Sequence, residues 1–138
     1  MKRRIIAFVL ATLVLLVALP AFADDSYDAT SIYRTYKFGQ YTIGGSALKV
    51  RCYNISYSTN PSAKYYHYAR PYAIDGSLLG YKTKIVQTNT SNYTTVSVNS
   101  DWTVGDNYKL KVYNAYFDES GNTDDTHKMV VHGYIKYS

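Results

Sequence analysis

The sequence predicts an all-β fold, a single antiparallel β-sandwich of about seven strands. Three observations predict it. Beyond residue 26 the chain runs as short segments rich in Tyr, Val, Ile and Thr in which apolar and polar residues alternate. Turn-forming clusters punctuate those segments at Gly44-Gly45, Asn60-Pro61, Asp75-Gly76, 89–92, 99–101 and Ser120-Gly121-Asn122. No segment in that stretch repeats apolar residues with the 3.6-residue period of an amphipathic helix.

The chain begins with a segment outside this pattern. Met1-Lys2-Arg3-Arg4 is basic, Ile5 to Leu19 is apolar apart from Thr12, and Ala21-Phe22-Ala23 has the small-x-small form of a cleavage site. These are the three parts of a secretory signal peptide, residues 1–23, with the cut after Ala23. The apolar run is shorter than the roughly 20 residues that span a bilayer. No cysteine stands directly after the cut and no second apolar segment appears, so no stable membrane anchor is expected after processing. The expected location is secreted, or extracellular. Residues 24–31 read as a flexible leader and 32–138 as the sandwich domain.

Processing leaves 115 of the 138 residues, enough for one domain with a real core. The formal charge of +5 falls to +2, because Lys2, Arg3 and Arg4 leave with the signal. That modest charge and the export signal argue against a nucleic-acid partner. The single cysteine, Cys52, excludes an intramolecular disulfide. It lies in an alternating run and reads as a small buried hydrophobe, with an intermolecular disulfide as the alternative.

The strands are expected at 32–38, 46–57, 64–73, 78–87, 92–98, 107–117 and 128–137. Alternation assigns their faces. Leu48, Val50 and Cys52 point inward, and Lys49, Arg51 and Tyr53 outward. Tyr108, Leu110 and Val112 point inward, and Lys109, Lys111 and Tyr113 outward. Met129, Val131, Gly133 and Ile135 point inward, and Val130, His132, Tyr134 and Lys136 outward. Val96 and Val98 supply the core side of the fifth strand.

Trp102-Thr-Val-Gly105-Asp-Asn-Tyr108 leads from the fifth strand into the alternating sixth. An apolar anchor with Gly three residues on and Tyr six on resembles the tyrosine corner of immunoglobulin and fibronectin type III domains. The resemblance covers about ten residues and implies an immunoglobulin-like sandwich. It would have Trp102, Gly105 and Tyr108 as structural residues and the Tyr hydroxyl bonded to the crossing backbone. The cysteine pair and core Trp of antibody domains are missing. The chain also resembles, in composition, small secreted β-sandwich proteins of Gram-positive bacteria, a group of uncharacterised function.

Seventeen tyrosines mark the composition, and all lie beyond the cut. They are densest in Lys64-Tyr65-Tyr66-His67-Tyr68-Ala69-Arg70-Pro71-Tyr72. In an immunoglobulin-like arrangement the third, fourth, sixth and seventh strands share a sheet. One outer face would then gather Lys82, Lys84, Lys109, Lys111, Tyr113, His132, Tyr134 and Lys136. The third strand would add either Tyr66, Tyr68 and Arg70, or Tyr65 and His67. Rings and cations together suit a cell-wall or extracellular polysaccharide, an anionic one above all, or a protein partner. The same residues also serve an ordinary solvent-facing sheet, where Tyr supplies β propensity and Lys discourages edge pairing.

Asp118, Glu119, Asp124 and Asp125 surround Gly121 in a loop that could wrap Ca²⁺, although their spacing is not that of an EF-hand. His67, His127 and His132 have no zinc-like spacing, and no hydrolase motif is present. No catalytic residue and no cofactor is expected. The expected function is a secreted, non-catalytic interaction module. The alternatives are a secreted antagonist (a bacteriocin-like toxin or a defence protein) and a self-assembling matrix protein.

Overall fold

The computed structural model describes residues 25–32, 35–57, 65–115 and 127–138. Strand-forming alternation becomes eight strands: β1 (Asp25–Ile32), β2 (Thr35–Thr42), β3 (Leu48–Tyr57), β4 (Tyr66–Ala73), β5 (Thr83–Val86), β6 (Thr94–Val96), β7 (Asn107–Tyr113) and β8 (Met129–Tyr137). They build two four-stranded antiparallel sheets, ordered β1-β8-β3-β6 and β2-β7-β4-β5. The signal peptide, with Ala21 and Ala23, lies outside the described residues.

First pairs with eighth, second with seventh, third with sixth and fourth with fifth, which is the wrapped order of a jelly roll. Two corrections follow. Residues 25–32 are a strand and not a loose leader. The last strand lies between β1 and β3, not in the sheet of β4, β5 and β7. Both have one cause. Asp25, Ser26 and Asp28 are exposed, so β1 shows little strand propensity, and its ladder with β8 is what holds it.

The two inner faces make the core. Leu48, Val50, Cys52 and Ile55 of β3 and Met129, Val131 and Ile135 of β8 meet Ala69, Ile85, Leu110 and Val112 from the opposite sheet. Along β3 the pairing with β8 shifts between Cys52 and Asn54, a bulge that leaves Tyr53 turned out and returns Ile55 to the core. Cys52 is buried, donates its thiol to the Asn54 carbonyl at 3.3 Å, and has its pKa pushed up to about 12 by burial.

Tyr27 of β1 is buried in the core and sits opposite Gly133. A Cβ at Gly133 would collide with the Tyr27 ring and the Arg51 carbonyl, so only glycine leaves room for the ring. The Tyr27 hydroxyl crosses the core and shares a 3.0 Å hydrogen bond with His67 Nε2 on β4. Burial pushes the Tyr27 phenol up and the His67 imidazole down to about 4, so both stay neutral near pH 7.

Gly105 adopts φ +96°, the left-handed conformation that turns the chain from the sheet of β6 into that of β7. The Trp102 indole donates to the Gly45 carbonyl at 3.0 Å and packs edge-on against Tyr108. The chain crosses between the two sheets here, but the Tyr108 bond differs from the one the tyrosine-corner resemblance implies. The Tyr108 hydroxyl meets that of Tyr137 on β8, at 2.9 Å, and not crossing backbone.

Candidate functional site

The outer face of β2-β7-β4-β5 gathers most of the expected site. On β4 the burial alternates, with Tyr66, Tyr68, Arg70 and Tyr72 outward and His67, Ala69 and Pro71 inward. That decides between the two faces the sequence leaves open. Lys82 and the exposed Lys84 come from the β5 side, and Lys109 and Lys111 from β7.

Register sets these cations side by side. Lys111 lies opposite Lys37 of β2 and opposite Arg70 of β4. Tyr68 lies opposite Tyr113, and Lys84 opposite Tyr68. No strand of this sheet contains an aspartate or a glutamate. Like charges directly opposed across strands destabilise a sheet, so the arrangement carries a cost.

The rings hold the cations. Lys84 Nζ lies 4.0 Å from the Tyr66 centroid. Lys82 Nζ is 4.7 Å from Tyr68 and 4.9 Å from Tyr113. Lys111 Nζ is 5.1 Å from Tyr113 and 5.4 Å from Tyr72. Arg70 lies over Tyr72 and donates Nε–H to the Gly80 carbonyl at 2.9 Å. Each contact contributes about 0.5–1 kcal/mol and fixes a flexible side chain. Tyr113 is only 7% exposed, and its hydroxyl lies 2.7 Å from that of Tyr72. Burial and that hydrogen bond raise its pKa, so the phenol stays neutral and supplies no negative charge.

His132, Tyr134 and Lys136 do not join this face. They lie on the outside of β1-β8-β3-β6, because β8 belongs to that sheet. There Tyr53 stacks on both, and Arg51 lies 4.7 Å from the Tyr134 centroid and 5.5 Å from that of Tyr93. Lys136 Nζ lies 4.0 Å from the Tyr93 centroid, and His132 Nδ1 pairs with Asp28. Sequence reasoning missed Tyr72 and Tyr93 as partners of the cations. The alternation through Tyr66, Tyr68 and Arg70 could have found Tyr72, but Tyr93 is placed only by the fold.

Asp118, Glu119, Asp124 and Asp125 lie outside the described residues. Among the described residues, no three ligating side chains gather as a metal site would require. No protein-family model, curated protein or solved structure matches the chain.

Proposed function

We propose that the chain is an exported, non-catalytic β-sandwich module that binds an anionic extracellular polymer through the outer face of β2-β7-β4-β5. The observation that carries this reading is the direct opposition of Lys111 and Arg70, flanked by Lys82, Lys84 and Lys109, in a sheet whose strands hold no carboxylate. An arrangement that costs stability is understandable where an external anion offsets the repulsion. The cation contacts on the rings favour a charged ligand over a neutral glycan. A ring face beneath an ammonium is not open for stacking on sugar. Stacked nucleobases are disfavoured for the same reason.

Sedimentation of the protein with insoluble acidic and neutral polysaccharides tests the reading. Retention on the acidic polymer at low salt, release as salt rises, and no retention on the neutral one are expected. Equal retention on both, or on neither, overturns it.

A further inference from the structure

β7 is an inner strand of the cationic sheet, between β2 and β4, and it turns two lysines outward. Lys109 and Lys111 stand two residues apart on the same face, a rise of about 6.8 Å. Among the described residues, no carboxylate pairs with either of them. Lys111 is held near the rings of Tyr113 and Tyr72. Lys109 lies opposite Tyr72 of β4 and opposite the exposed Gln40 of β2. Arg70, opposite Lys111, adds a third positive charge. Its Nε–H is committed to the Gly80 carbonyl, and its guanidinium also bonds the Tyr113 hydroxyl. It therefore acts as a fixed charge and not as an open fork. The donors along β7 are the two ammoniums, each a point charge that binds an anion without a set plane.

The rings of the face limit what such a ligand can be. Tyr66, Tyr68 and Tyr72, the outward rings of β4, each already carry a cation. A polyanion built from pyranose rings or nucleobases gains little stacking there, and it still loses freedom on lying against the sheet. An open-chain polyanion has no rings to place. In a polyol phosphate of three-carbon units, six bonds separate successive phosphorus atoms, a reach close to the two-residue rise of a strand. An extended acidic peptide repeats its same-side charges at that rise too. Its backbone N–H and C=O groups, however, would find no partners on a sheet face.

We infer that Lys109 and Lys111 seat two successive phosphates of an open-chain polyol phosphodiester, which runs along β7 and not across the strands. The inference rests on the reading of this face as a polyanion site.

The test is calorimetric titration at low salt with glycerol phosphate oligomers of one to six phosphodiester groups. Oligogalacturonate, oligoglutamate and oligothymidylate of equal charge are titrated beside them. Affinity should rise about tenfold from one phosphodiester to two, and by no more than about threefold beyond three. The other three polyanions should bind at least about tenfold more weakly. Lys109→Gln and Lys111→Gln should each weaken binding of the glycerol phosphate trimer about tenfold. Lys84→Gln, on β5 and two strands from β7, should weaken it by no more than about threefold. Lys49→Gln, on β3 of the other sheet, should leave it unchanged. Circular dichroism melts of the four variants show that each is folded. Equal losses at Lys84 and Lys109, or affinity that climbs evenly through six phosphodiesters, overturn the seat on β7 while leaving a polyanion site. Oligogalacturonate, oligoglutamate or oligothymidylate binding as tightly overturns the choice of polyol phosphate. No binding of any of the four polyanions overturns the function proposed for the face as well.

Discussion

Both outer faces of the sandwich are built from tyrosines and cations, yet among the described strands only those of one face carry a carboxylate. On β1-β8-β3-β6, Lys136, Tyr93, Arg51, Tyr134, Tyr53 and His132 follow one another in contact, and the series ends on Asp28. On β2-β7-β4-β5 the same residue types recur, but the strands hold no carboxylate and the cations oppose one another. Composition is therefore a poor guide to which surface can bind. What separates the faces is whether the register brings cation to carboxylate or cation to cation.

The largest expected effect tests how the first face obtains its anion. Asp28 is delivered by β1, and β1 is seated by Tyr27 over Gly133. Gly133→Ala should cost about 3 kcal/mol, because neither the Arg51 carbonyl nor the ring can yield without moving a strand. Urea melts measure the loss, and amide exchange should show β1 released first. A variant as stable as the parent would break the claim that this contact seats the strand.

Next in size is the link between the sheets. His67 is fully buried and neutral, with its pKa lowered to about 4 from an ordinary 6.5. The unfolded chain therefore binds a proton that the folded chain refuses. Stability should fall as pH drops from 6.5 to 4, by about 3 kcal/mol in total, and this loss should level off below that range. Melting temperatures across pH 3.5–7.5, compared with those of His67→Gln, isolate the effect. A pH profile unchanged by the substitution would remove His67 as its source.

The smallest effects sharpen the comparison most. Lys111→Glu turns two like-charged cross-strand pairs into opposite ones. It should raise stability by about 0.5 kcal/mol, after the lost ring contacts, while abolishing retention on acidic polysaccharide. Asp28→Asn, on the other face and exposed, should change stability by less than about 0.5 kcal/mol and leave retention as it was. A destabilised Lys111→Glu protein would show that the opposed cations carry no cost, and the main support for a binding face would go with it.

Local pattern is legible at particular residues. Lys109 and Lys111 turn out while Leu110 and Val112 turn in, because successive side chains of a strand take opposite faces whatever the sheet pairs with. Cys52 is buried for the same reason. Trp102, Gly105 and Tyr108 form a turn at the expected crossing, since their spacing is a short-range geometric matter. By contrast, nothing near Asp25 announces a strand, because that strand depends on a ladder to residues more than a hundred positions away. Leaving it out of the sandwich also misplaces β8, and with it His132 and Tyr134.

The sequence by itself determined the all-β class, the inward and outward sets along most strands, and the surplus of tyrosine and lysine available to the surface. Only the tertiary structure decided which of those residues meet. The jelly-roll order, the bulge at Tyr53, the outward turn of Tyr66 and Tyr68 rather than His67, and the opposition of Lys111 to Arg70 all depend on register between distant strands. Alternation fixes a side chain's face from its neighbours in the chain. Register is fixed by the packing of the whole core, and that is where the difference between the two faces arises.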